Sequence, residues 1–180
     1  MGDMPQREPG HEGNGVRTPL DVSIVGGGLI GVITALGLVR RGMRVTIYER
    51  STKFQELGAA VGFPRVAREA MKRLEPRILE ALGKVTQRNL HEQVRYWDGF
   101  HPRTKQAAEL EESSLLFEVP ERDLAFWACL RSHLLLAMAE LLPEGTAQFG
   151  KRLVGYTDVE GTGKVTLQFG DGSTAEHDIC

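Results

Sequence analysis

Two cysteines in 180 residues leave nothing from which to build a disulfide framework. Cys129 and Cys180 form no C-x-x-C pair and no zinc spacing. Cys129, in the apolar run FWACL, reads as a small buried hydrophobe. The scarcity of cysteine fits a reducing compartment. No apolar run approaches the length of a membrane span. The opening stretch, MGDMPQREPGHEGNG, lacks an apolar h-region and is not a secretory signal. The expected location is therefore cytoplasmic, in a soluble intracellular protein. An excess of charge is lacking too, with 22 Lys and Arg against 24 Asp and Glu. There is no basic stripe interleaved with aromatics, so no nucleic-acid partner is expected. Five histidines (His11, His91, His101, His133 and His177) show no ligand spacing. They are expected at the surface or in caps, and no metal is expected.

What is present begins after a leader. Residues 1–18, rich in Gly, Pro and charge, read as disordered, and residues 19–180 as a folded unit. Val22 to Val25 is a short apolar run ending in glycine, the pattern of a strand buried on both faces. The period then changes. Val32, Ala35, Leu36 and Val39 fall on one helical face, and Arg40-Arg41-Gly42 is a helix stop. Val45, Ile47 and Tyr48 make a second strand. Strand, helix and strand in about thirty residues form a right-handed βαβ unit.

Beyond it, STKFQELGAAVGF reads as a loop of small residues. Helical periodicity returns from Pro64, with Pro76 splitting it in two. EQVRYWD reads as a strand, TKQAAELEE is ambiguous, SSLLFEVPERD reads as a strand running into a loop, and Arg131 to Leu142 is a helix. RLVGYTDV, KVTLQF and TAEHDI, separated by turns at EGTG and GDGS, form a β-meander. The fold class is α/β, with a Rossmann-like domain and a β-meander.

Gly26, Gly28 and Gly31 satisfy G-x-G-x-x-G, and each has its own task. Gly26 permits a tight turn, Gly28 leaves room for a pyrophosphate, and Gly31 lets helix and strand approach. The helix start, at Leu29 and Ile30, offers N–H groups and a positive dipole end to phosphates. Glu49 lies 18 residues beyond Gly31, at the tip of the second strand. There a carboxylate accepts the hydroxyl protons of a ribose and repels a 2′-phosphate. The strand, helix and acid supply the context this motif requires. NAD and FAD are thus expected before NADP.

The stretch YERSTKFQELGAAVGFPRVAREAMKRL resembles the FAD-dependent aromatic hydroxylases, the salicylate hydroxylase-like flavin monooxygenases. Glu49 and Arg50 match the start of that pattern, and residues 58–62 (GAAVG) match its small-residue loop, with Ala60 where glycine is commoner. Val66 stands where the family often has Asn. WACLRSHLLLAMAEL resembles the family's HRxxLxxxL helix, with Leu130 in place of His. The resemblance implies that Glu49 and Arg50 meet the adenosine ribose end and that Gly62 lies near the flavin. It also implies that Arg131 reaches the ribityl–phosphate region; read without it, Arg131 is a solvated cation in a first helical turn.

The resemblance further implies an enzyme that binds FAD, uses NAD(P)H and dioxygen, and hydroxylates a small aromatic substrate. By it, Asp178-Ile179-Cys180 begins the strand that leads to a second FAD signature. The chain is thus expected to be an N-terminal, truncated portion of the family's FAD-binding domain, inactive by itself. The GDG at residues 170–172 is a hairpin turn rather than that signature. No catalytic residue is assigned. The competing expectations are an NAD-dependent oxidoreductase and a non-catalytic fragment that binds nucleotide weakly. Nothing in the sequence sets the oligomeric state.

Overall fold

The run DVSIV carries apolar side chains that must be covered, and the sequence covers them with the helix that follows. The computed structural model describes residues 18–55, 58–88, 93–98, 115–120, 126–159, 161 and 163–180. Strand β1 is Asp21–Val25, helix α1 Leu29–Arg40 and strand β2 Arg44–Tyr48. β1 and β2 pair in parallel, Val22 opposite Val45 and Ile24 opposite Ile47. The helix ends where expected: Gly42 takes a φ of 79°, and the N–H groups of Arg41 and Gly42 close on Leu38 and Val39. The expected leader falls outside the described residues except for Thr18, as do TKQAAELEE, His11, His91 and His101.

The segment expected as a loop before Pro64 is in part a strand. β3 (Ala60–Phe63) pairs antiparallel with β7 (Trp127–Leu130), which also pairs with β4 (Gln87–Arg88). Small residues suit this strand because Phe126 lies against Gly62, where a Cβ would sit 3.2 Å from its ring. Pro76 divides the next helical stretch as expected. α2 is Arg65–Leu74 and α3 is Pro76–Val85, with proline in the first turn. Glu75 caps α3: its Oε1 accepts from Arg77 N at 3.1 Å, and its carboxylate pairs with the Arg77 guanidinium.

The helix expected from Arg131 is α4, Arg131–Ala139, three residues shorter than expected and followed by turns. β5 (Gln93–Trp97) and β6 (Leu115–Pro120) form a two-stranded antiparallel pair with Tyr96 stacked on Phe117. Two residues that the sequence did not mark, Ala147–Gln148, are strand β8, parallel to β2.

The main core lies between α1, α2, α3, α4 and the β1–β2 sheet. Val32, Leu36, Ile47, Ile78, Leu82, Leu134, Leu135 and Met138 are fully buried there, and Cys129 is buried with them. Burying each large side chain stabilises the fold by roughly 1.5–3 kcal/mol. Gly37 lets α1 and α2 touch, since a Cβ there would overlap Leu74.

The meander forms as read: β9 (Leu153–Val159), β10 (Lys164–Phe169) and β11 (Thr174–His177), antiparallel in order. Its return brings Ile179 alongside Val22 in a parallel bridge, with Ser23 N donating to Ile179 O at 2.8 Å. Ile179 thus lies along the free side of β1.

His177 departs from expectation. It is buried, its Nε2 meets the Tyr48 hydroxyl at 2.9 Å, and its Nδ1 meets Asp21 Oδ1 at 3.1 Å. Tyr48 and Asp21 use both ring nitrogens, so the imidazole is satisfied inside the fold rather than at its surface. Burial and the Asp21 charge together push the Tyr48 phenol above its usual range. Among the described residues no group of His, Cys, Asp and Glu could hold a metal, and no helix is long and apolar enough to cross a membrane.

Candidate cofactor site

The carboxyl ends of β1 and β2 meet at one mouth. Gly26 takes a φ of 107°, a conformation L side chains rarely adopt, and its N–H donates to Tyr48 O at 2.9 Å. This turns the chain sharply off β1. Gly28 is the N-cap of α1 in extended backbone, and its carbonyl accepts from Val32 N at 3.0 Å. No side chain caps this helix, and no acid lies in its first turn. Its leading N–H groups therefore face the mouth without intrahelical partners. The Leu29 side chain is buried in the core, so only its backbone can serve a ligand, whereas Ile30 is exposed. Gly31 is small for a packing reason: a Cβ there would overlap the Gly26 carbonyl oxygen.

Glu49 closes the opposite side. Its Oε2 accepts from Gly27 N at 2.6 Å and its Oε1 from Ser51 N at 2.8 Å. The carboxylate is thereby aimed across the glycine turn, and it keeps lone-pair capacity for a further donor. Burial pushes the Glu49 carboxyl up, but the N–H groups of Ser51 and Gly27, the Ser51 hydroxyl and the Arg50 charge outweigh it. The group lies below the ordinary carboxylate value of 4.5. Gly27 was missed in the sequence, although it is the middle member of the triple glycine. A Cβ there would press at 3.0 Å on Phe54 and 3.2 Å on Glu49 Oε2.

Beside this mouth opens a cleft of about 360 Å³, lined by Val25 and Gly26, by residues 48–50 and by residues 151–153. Arg50 is exposed at its edge. The parts fit a dinucleotide. Uncapped N–H groups and the bare backbone at Gly28 suit a diphosphate, and a fixed carboxylate with free lone pairs suits ribose hydroxyls. Gly62 and Arg131 form a second group. Gly62 pairs with Ala128 and Ala60 with Leu130, which leaves Arg131 at the start of α4 with its N–H on Ala59 O at 3.4 Å. The structure thus brings the GAAVG segment and Arg131 together. The two groups sit on different sheets and share a core through α1 and α4.

Glu49→Gln is expected to weaken ADP binding by about 1–3 kcal/mol, because a charge-assisted acceptor becomes neutral. Calorimetric titration of both proteins checks this. The hydrogen bonds of Glu49 also tie stability to pH. Its folded value is lowered, so its contribution is complete above the ordinary carboxylate range and is lost as pH falls through the lowered value. Denaturation midpoints below pH 5 should therefore fall more steeply in the wild type than in the glutamine variant.

This fold and mouth define an α/β domain of the dinucleotide-fold class. The chain belongs to the FAD dependent oxidoreductase family, whose model matches residues 21–144. It is 61% identical over 163 residues to an FAD-dependent monooxygenase of Aspergillus terreus, covering 91% of this chain and 37% of that protein. It is 33% identical to a salicylate hydroxylase of Sarocladium schorii, covering 89% of this chain and 34% of that protein. Among solved structures, a salicylate hydroxylase–substrate complex is 28% identical, with a TM-score of 0.65, and is matched over 89% of this chain and 34% of its own. The Klebsiella pneumoniae HpxO complex with FAD and uric acid shares the fold at 20% identity and a TM-score of 0.68, over 89% and 38%. The chain spans little more than a third of the length of these relatives. FAD is the cofactor of the family, which settles the choice that the glycine turn left between FAD and NAD.

Proposed function

We propose that residues 19–180 are part of the FAD-binding domain of a flavin monooxygenase, cytoplasmic in location, and that they hold the ADP half of FAD. One observation carries the reading: the Glu49 carboxylate is hydrogen-bonded to Gly27, so acid and glycine turn form a single mouth. In this reading Gly26, Gly28, Leu29, Ile30 and Gly31 receive the diphosphate through backbone and space. Glu49 orients the ribose, with Arg50 beside it. Gly62 and Arg131 serve the flavin side of the cofactor. FAD, once bound, supplies the electron transfer from NAD(P)H and the activation of dioxygen. The residues of this chain bind and orient it, and none of them is given a proton-transfer role. The monooxygenases among its relatives, two salicylate hydroxylases included, support a small phenolic or other aromatic substrate.

Titration of the purified chain with FAD, read by flavin absorbance and fluorescence, tests the cofactor assignment. Perturbed flavin bands at saturation support it, and a spectrum identical to free FAD sinks it. In the whole protein, phenolic acids should stimulate NAD(P)H oxidation and return as hydroxylated products. Arg131→Ala is expected to raise the dissociation constant for FAD about tenfold at low salt and less at high salt, as an arginine–phosphate contact demands. A titration unchanged from wild type would reduce Arg131 to a surface residue.

A further inference from the structure

The hairpin turn at residues 170–172 is bonded to two residues of the cleft wall, Lys151 and Arg152. Asp171 Oδ1 accepts from Ser173 N at 3.0 Å and from the Ser173 hydroxyl at 2.6 Å, which fixes its carboxylate. Its Oδ2 receives the Lys151 ammonium at 2.7 Å, and Ser173 Oγ receives the same ammonium at 2.8 Å. These bonds hold the Asp171 carboxyl far below the usual carboxylate range. Lys151 is a wall of the cleft, and its backbone N–H donates to Glu49 O at 2.9 Å. Gly170 N in turn donates to Arg152 O at 2.8 Å. The turn, the cleft wall and the ribose acid are thus joined in series. A cation whose backbone touches Glu49 thus has its charge held by Asp171 and Ser173 of the hairpin turn.

The consequence concerns which nucleotide enters. FAD and NADPH both carry an adenosine diphosphate half, and NADPH adds a 2′-phosphate to its ribose. Glu49 repels that phosphate, but a mobile ammonium beside Glu49 would offset the repulsion. Lysine has the flexible stem to swing there once released. We propose that Asp171 is a specificity-determining residue: by holding the Lys151 ammonium on the hairpin turn, it keeps the cleft selective for a free 2′-hydroxyl over a 2′-phosphate. The inference rests on the reading that Glu49 meets the ribose. Arg50 and Arg152 also line the cleft and are exposed, so opening the latch adds a further cation to a mouth that already holds two and one carboxylate.

The test uses two probes that differ only by the 2′-phosphate, AMP and adenosine 2′,5′-bisphosphate. Both are titrated by calorimetry at low salt into the wild type, Asp171→Asn, Lys151→Met and the double variant. Asparagine keeps an oxygen for Ser173 and removes the charge that holds Lys151. The wild type should prefer AMP. Asp171→Asn should shift the preference about tenfold toward the bisphosphate, the size of one added charge near a partly screened site. The double variant should return to the wild-type preference, because no ammonium remains to be released. A merely structural role would weaken both nucleotides together and leave the ratio fixed. An unchanged ratio in Asp171→Asn, or a shift that survives in the double variant, overturns the latch while AMP binding leaves the cofactor reading intact. Failure of the wild type to bind either probe overturns both. Thermal melts confirm folding. If Asp171→Asn does not fold, Ser173→Ala, which removes the second partner of the ammonium, should give a smaller shift in the same direction; no shift there overturns the proposal.

Discussion

Gly31→Ala should destabilise the domain by about 3 kcal/mol or more, among the larger effects a single methyl group can have. The cause is contact rather than conformation, since the added Cβ would overlap the Gly26 carbonyl oxygen and touch Ile24 at 3.4 Å. Side chains can rotate away from a clash, but this obstacle is backbone. It belongs to a residue whose φ of 107° leaves the turn little alternative. The turn and α1 must therefore separate, and Leu29, Val32 and Leu36 lose packing with it. For a chain of this size the loss corresponds to a fall in Tm of roughly 6–12 °C. Thermal and urea denaturation measure it. A wild-type Tm would mean that the turn yields freely and that Gly31 has no packing role.

Gly28→Val should act in the opposite sense, sparing the fold and abolishing ADP binding. Gly28 lies at φ −76° and ψ −177°, an extended conformation that valine adopts readily. Its carbonyl bond to Val32 N survives the change. The stability cost should stay within roughly 1 kcal/mol. The isopropyl group, however, stands where a diphosphate would approach the uncapped start of α1. Calorimetry should find no ADP binding in a variant whose circular dichroism and Tm match the wild type. Equal ADP affinity in the two proteins would remove the glycine turn from the site. Taken together, the two glycine variants separate space needed by the fold from space needed by the ligand.

The sequence made β1, α1 and β2 readable because every local signal agrees there: an apolar run, a glycine turn, a 3.6-residue period and a glycine stop. Glu49 was legible for the same reason, its place at a strand tip being fixed by counting. Its partners Gly27 and Ser51 were not, since the folding of the turn onto the acid is set by Gly26 and Phe54 in three dimensions. β3 was hidden because GAAVGF carries weak strand propensity, and its pairing depends on Trp127–Leu130 far along the chain. β8 is only two residues long, too short for any period. His177 was misread as a surface group because its burial depends on Tyr48 and Asp21, neither near it in sequence. The turn at residues 170–172 was recognised as a hairpin, while its hold on Lys151 became visible only once β9 and β10 lay side by side.

The bridge between Ile179 and Val22 also bears on the order of assembly. β2 reaches β1 after closing a loop of about twenty residues, whereas Ser23 meets Ile179 across a separation of 156. Chain-closure entropy makes the second pairing costlier by about 1.7 kcal/mol. Non-local contacts of this kind slow folding. The strand that carries the glycine turn is therefore secured early on one flank and late on the other. Until the meander has returned, the two-strand unit that bears Glu49 stands with its outer edge unpaired.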